Sequence, residues 1–218
     1  MGKTQGLSAE DTDRTLARTG MENQDIFDWF RRMPWKKGHG PLQWTHDYED
    51  YLLELWGKET YGSYWQQVGL SVNSYLEHFS DVPQVHMGAW YDPYTRTTTE
   101  NFVALKKEPR KAEVYLIMGP WTHGGHGVTF SGDIDLGAQS LIDENLGVDY
   151  NHLRLAFFDR WLKGLTPGAG EMPAVRIFVM GGGSGRKNAQ GRLEHGGAWR
   201  VEKEWPLARA IETRFYLE

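Results

Sequence analysis

The chain is 218 residues long, enough for one large domain or parts of two, and its 39% hydrophobic and 24% charged content is that of an ordinary globular protein. A net charge of −5 with no basic stripe excludes a nucleic-acid binder, and the absence of cysteine excludes disulfides, thiolate metal sites and a cysteine nucleophile. No stretch is apolar for long enough to cross a bilayer, and the opening residues MGKTQGLSAEDTDRT lack the apolar run of a signal peptide, so a cytoplasmic location with no membrane contact is expected.

From Glu10 to about Phe79 the periodicity predicts helices. Ile26, Trp29, Phe30 and Met33 recur at i, i+3, i+4 and i+7, and a second run passes through Tyr48, Tyr51, Leu52 and Leu55, the two separated at Gly38-His39-Gly40-Pro41. After Val82-Pro83 the pattern changes to a strand over 84–88, a helix over 97–107 and a second strand over 113–119. The run VYLIMG in that second strand is apolar on both faces, as in a parallel sheet. The glycine-rich loop GPWTHGGHGVTFSGD follows, and then an amphipathic helix over 150–162 with Leu153, Phe157, Trp161 and Leu162 on its apolar side. LKGLTPGAGEMP has the composition of a linker, and beyond it 174–180, 199–204 and 213–217 read as strands, too few to close a sandwich or barrel. The expected organisation is a helical segment at 1–80, an α/β part at 81–165 and the truncated start of a β domain at 166–218.

Two segments carry chemistry: GAWYDPY, with Asp92, and GPWTHGG, with His123. Each places a titratable residue in the loop just after a predicted parallel strand, the edge at which sites form in open α/β sheets. One strand-helix-strand crossover brings the two loops together. An Asp facing a His there orients the imidazole, fixes its tautomer and stabilises the imidazolium formed when the other nitrogen takes a proton. The same residues also fit a turn-capping Asp and an exposed loop His, and spacing alone does not separate the readings. His126 sits three residues past His123, as a neighbour of the site that touches substrate. The two histidines lack a third ligand for a metal, so neither metal nor other cofactor is expected. The run KKEPRK is read as a solvated turn, and Gly181–Gly183 as a loop between strands.

VPQVHMGAWYDPYTRTTTENFVALKK followed by EVYLIMGPWTHGG resembles the acid-bearing and histidine-bearing segments of the CocE/NonD serine esterases and X-Pro dipeptidyl-peptidase (S15-like) hydrolases. PAVRIFVMGGG and WRVEKEWPLARAIETRFYLE resemble the start of that family's C-terminal jelly roll, and the helical first third fits, more loosely, the end of its cap. The resemblance implies an α/β fold: the C-terminal part of an α/β-hydrolase core, preceded by cap helices and followed by the start of the jelly roll. It implies that Asp92 is the triad acid and His123 the base, with Trp90, Tyr91 and Trp121 beside the substrate.

One part of the family pattern is missing. A nucleophile elbow needs G-x-S-x-G between strand and helix, and no such string occurs. The nearest, around Ser8, Ser71 and Ser184, lack the final glycine and read as turns or helix caps. The segment that would furnish an oxyanion hole is absent too. The expectation is therefore the C-terminal portion of a serine hydrolase, acting on a small acyl ester or peptide once a nucleophile-bearing segment complements it, and self-associating through exposed sheet edges. The alternative is a catalytically inert binding or structural module.

Overall fold

Two units make up the chain, Met1–Leu70 and Ser71–Glu218. In the computed structural model, the residues described are 6, 8–19, 26–43, 45–107, 109–166 and 172–217.

The first unit contains the helices α1 (Ala9–Thr19), α2 (Ile26–Phe30) and α3 (His46–Trp56). Ser8 starts α1 as its cap, its Oγ accepting the Asp11 N–H at 3.0 Å, which fills one of the donors a helix start leaves free. The glycine-proline break is tied to α3 by a buried side chain: Glu49, 3% exposed, accepts the Gly38 N–H at 3.0 Å. Trp35 joins the two halves, stacking on Phe30 at 5.5 Å and packing against Trp56 at 5.0 Å. The helical expectation was too broad. Met33 lies past the end of α2 and is exposed, and residues 57–79 are mainly turns, with one 3-10 turn at Leu76–His78. Gly57, Gly62 and Gly69 punctuate that stretch, and at φ +89° Gly69 takes a conformation that helical residues do not.

The second unit is built on a four-stranded sheet. β1 (Gln84–Tyr91) leads into α4 (Thr95–Lys107) and β2 (Val114–Thr122); the short β3 (Phe130–Ser131) and β4 (Ile134–Asp135) precede α5 (Tyr150–Lys163), and β5 (Val175–Met180), β6 (Leu193–Glu194) and β7 (Gly197–Glu202) complete it. The main sheet runs β1-β2-β5-β7, with β1, β2 and β5 parallel and β7 antiparallel to β5, while β3, β4 and β6 form a second, small sheet. β2 is buried along its whole length up to Trp121, as its apolar run requires of a strand covered on both faces. Phe102 and Leu105 of α4 pack with Leu116, Met118, Val175 and Ile177 on one face. Leu153 of α5 packs with Ala89, Ile117, Trp121 and Ile142 on the other. α5 is punctuated at both ends. Asp149 accepts the His152 N–H at 2.8 Å at its start, and Gly164 takes the left-handed conformation at φ +68° at its end.

Two expectations about the last third differ from the structure. The strand expected to open a separate β domain pairs parallel with β2, Leu116 facing Val175, and so lies in the same sheet as β1 and β2. Residues 213–217 form no strand: no ladder partner lies beside them among the described residues, and Phe215 and Leu217 are exposed. Among the described residues, no helix is long and apolar enough to cross a membrane.

Candidate active site

β1 and β2 end side by side, and the loops that follow them carry Asp92 and His123. Asp92 sits in a tight turn between β1 and α4. Its N–H reaches the Ala89 carbonyl at 3.3 Å, its carbonyl accepts from the Thr95 N–H at 3.1 Å, and the Thr95 hydroxyl lies within hydrogen-bond distance of both the Ala89 and Asp92 carbonyls. The two carboxylate oxygens do different work. Oδ1 accepts the Tyr94 N–H at 2.8 Å, an Asx turn closing on the residue after Pro93. Oδ2 meets His123 Nδ1 at 2.9 Å. One oxygen thus caps the turn and the other is bonded to the imidazole.

His123 is aimed by three features of β2. Ala89 pairs with Gly119 and Tyr91 with Thr122, so Trp90 alone faces both Pro120 and Trp121, a bulge that turns the strand end. Gly119 permits it, because a Cβ there would lie 2.3 Å from the Trp121 ring. The Trp121 indole N–H donates to the Ser140 carbonyl at 2.8 Å and fixes the bulge from beneath. His123 then occupies the corner of a turn closed by the Gly125 N–H on the Thr122 carbonyl at 3.0 Å, with Gly124 at φ +71° supplying the positive angle the third residue needs. The Tyr94 ring stands edge-on to the imidazole at 5.4 Å.

The electrostatics follow from unequal burial. The Asp92 side chain is 9% exposed and that of His123 71%. Burial pushes the Asp92 carboxyl up, but the Tyr94 N–H, the hydrogen bond to His123 and the charge of that ring together outweigh it and hold the group below its ordinary value. An ionised Asp92 accepting Nδ1–H leaves Nε2 as the basic nitrogen, and among the described residues no side chain hydrogen-bonds it. The pair is thus arranged to take and return a proton at Nε2.

A cleft of about 190 Å³ opens at this pair, lined by Asp92, His123, Trp121, His126 and the backbone of the glycine turn. A model of the X-Pro dipeptidyl-peptidase (S15 family) matches residues 3–125, a span that includes Asp92 and His123. The chain belongs to that family. Cocaine esterase of Rhodococcus sp. (strain MB1 Bresler) is 32% identical over 136 residues, which are 62% of this chain and 20% of the esterase. The chain thus spans about one fifth of the length of that relative. The family read from the two motifs is therefore the family to which the chain belongs, and its members are hydrolases of the S15/CocE type.

Four aromatic and histidine positions were expected beside the substrate in this S15 chain. Trp121 and His126 line the cleft, with His126 packed on Tyr150 at 4.5 Å. Trp90 and Tyr91 do not. Strand alternation turns Trp90 to the α4 side, where its indole donates to the Phe178 carbonyl at 2.8 Å and its ring packs against Trp205, and the Tyr91 hydroxyl points at Met180 Sδ, 3.3 Å away. Tyr94, Thr95, Ser131 and Ser140 were not singled out in the sequence. Asp92-Pro93 is a turn signal that would have found the first two, whereas Ser131 and Ser140 act through long-range contacts that no local signal announces. The three serines nearest to a nucleophile motif all make local bonds: Ser8 caps α1, Ser71 Oγ lies 3.2 Å from Ser74 Oγ, and Ser184 donates to Glu194 at 2.8 Å.

Proposed function

We propose that this S15-family chain supplies the acid and base of a serine hydrolase acting on small acyl esters or on peptides with proline in the second position. The hydrogen bond between Asp92 and His123 Nδ1 carries this reading. Asp92 holds the ring in one tautomer, Nε2 takes the proton of an attacking serine and returns it to the leaving alcohol or amine, and Asp92 stabilises the imidazolium between those steps. The description of the matching family and the esterase relative support ester and X-Pro peptide as the two substrate classes.

The serine comes from a segment outside these residues, because no nucleophile elbow lies within them. β1 is an edge strand, and beside it a mainly apolar cavity of about 250 Å³ is lined by Val85, Met87, Ile117, Phe157, Phe158 and Met172. A further parallel strand adding to that edge brings the nucleophile to the same end of the sheet as His123. The same exposed edge is where the isolated chain self-associates. The helical unit serves as the end of a cap, and the segment reaching 213–217 leads into a jelly roll.

The experiment is complementation. The chain alone is expected to hydrolyse no p-nitrophenyl ester above background and to take no label from a fluorophosphonate. Adding a nucleophile-bearing segment, identified by a strand-G-x-S-x-G-helix pattern, restores both, and His123→Ala removes the hydrolysis again. Stoichiometric labelling of the chain alone at one of its own serines overturns the external nucleophile. Activity that survives His123→Ala overturns the dyad, and a complemented chain that stays unlabelled and inactive is the inert module.

A further inference from the structure

Between β5 and β7 the chain leaves the main sheet for residues 181–196 and returns. This excursion is ordered from within. The Gly181, Gly183 and Ser184 N–H groups donate to the carbonyls of Gly196, His195 and Glu194, and Asn188 Oδ1 accepts the N–H groups of Gln190 and Arg192. Most of its residues are exposed, but its returning arm lies along the loop that follows His123. β6 pairs parallel with β4, Ile134 facing Leu193 and Asp135 facing Glu194. The Arg192 guanidinium covers the Phe130 ring at 3.7 Å, and its Nε donates to the Gly132 carbonyl at 3.3 Å.

Asp135 is where the two segments meet. Its Oδ1 accepts the Gly137 N–H at 2.9 Å within the histidine loop, its Oδ2 accepts Asn188 Nδ2 at 2.7 Å from the excursion, and its carbonyl accepts the His195 N–H at 2.7 Å. From this knot two bonds lead to the bulge that aims His123. The buried Ser131, on the β3 strand paired with β4, donates to the Pro120 carbonyl at 2.8 Å, and Ser140, just beyond Gly137, offers its carbonyl to the Trp121 indole at 2.8 Å. Pro120 and Trp121 are the two residues of the bulge.

We propose that residues 181–196 form a strap that fixes the histidine loop, and that Asp135 is a positioning residue acting on His123 through Ser131, Ser140 and the bulge. The proposal rests on the reading of Asp92 and His123 as the acid and base of a hydrolase. A carboxylate that holds a loop amide and a strap amide together removes freedom from a turn otherwise rich in glycine, and a base held within a few tenths of an ångström needs such support.

The test compares the intact chain with Asp135→Ala, Asn188→Ala and, as a control, Ser184→Ala, which breaks two bonds inside the strap, to Glu194 and from the Arg186 N–H, without removing a bond to the histidine loop. Two signals are read by proton NMR: the downfield Nδ1–H of His123, shared with Asp92, and the exchange rate of the Trp121 indole N–H. In Asp135→Ala the His123 signal is expected to broaden or vanish and the indole exchange to quicken about tenfold or more, as loss of one or two tying bonds implies for local opening. Asn188→Ala, which keeps the Asp135–Gly137 bond, is expected to act in the same direction and more weakly, and it decides the matter if Asp135→Ala does not fold. Ser184→Ala leaves both signals as they are. Unchanged signals in Asp135→Ala and Asn188→Ala, or an equal change in Ser184→Ala, overturn the strap. A native chain without the downfield Nδ1–H signal counts against the dyad instead, and the Trp121 exchange alone then decides for or against the strap.

Discussion

Asp92 Oδ2 and His123 Nδ1 lie 2.9 Å apart across one strand-helix-strand crossover, with the carboxylate 9% and the imidazole 71% exposed. On the proposed reading of the pair as acid and base this asymmetry has a chemical use: the carboxylate is shielded and held below its ordinary pKa, while Nε2 of the ring stays open to whatever approaches it.

Asp92→Asn separates the two duties of this side chain. The amide is close in size and can still accept the Tyr94 N–H, so the turn into α4 survives, but the charge is lost and the ring loses its enforced tautomer. In the complemented enzyme kcat is expected to fall by roughly 10³- to 10⁴-fold, while the midpoint of thermal unfolding of the chain stays within a few degrees of the parent. A loss of activity that merely tracks unfolding would refute this division.

Acid stability has a clear direction. His86 on β1 has a buried Nε2 with no hydrogen-bond partner among the described residues, and burial holds its pKa below the ordinary 6.5. Asp92 is likewise held below its ordinary value. For both, the unfolded chain binds more protons than the folded one just below the ordinary pKa, so stability is fully present above that value and is lost as pH falls through it towards the folded pKa. His86 acts first, below 6.5, and Asp92 only in the carboxylate range. His86→Leu removes the unpaired nitrogen, so urea midpoints between about pH 6.5 and 5 are expected to flatten while stability at neutral pH is kept or raised. An unaltered slope in the variant would exclude His86 as its source.

Trp90 and His126 were grouped as substrate neighbours, and they are expected to separate on mutation. Trp90→Phe loses the indole bond to Phe178 and part of the packing with Trp205, so it costs about 1–2 kcal/mol in urea unfolding without altering KM. His126→Ala, lining the cleft, is expected to raise KM in the complemented enzyme with little change in stability. The reverse pattern would return Trp90 to the substrate side.

What the sequence made legible was local and periodic. The VYLIMG run announced a strand covered on both faces, and the turn residues around Asp92 and His123 announced loops at strand ends. The parts that differ from the sequence reading depend on contacts between distant residues. Nothing in 174–180 says that its neighbour is β2 rather than another strand of a β domain, since ladder partners are chosen by the whole sheet. Trp90 looked like a pocket residue because the motif carries it next to Asp92, whereas pleating puts it on the opposite face. The helical pattern past Trp56 failed because apolar residues at helical spacing also occur in turns that glycines interrupt. At Asp92 the sequence offers a turn cap and a partner for the histidine as two readings, and the two carboxylate oxygens make both contacts compatible.

Gly119 offers the sharpest structural test of the bulge. An alanine Cβ would fall 2.3 Å from the Trp121 ring, which is itself 3% exposed, tied to Ser140 and flanked by Trp199 at 5.6 Å. The ring cannot yield without breaking its indole bond, so Gly119→Ala is expected to cost about 2–3 kcal/mol by overpacking and by orphaning a buried donor. Because Trp121 and Pro120 form the bulge before His123, the same change is expected to lengthen or break the bond to Asp92. Chemical denaturation gives the first quantity and the His123 Nδ1–H resonance the second. A variant with parental stability and an intact resonance would show that the Trp121 ring shifts freely and does not set the direction of the histidine.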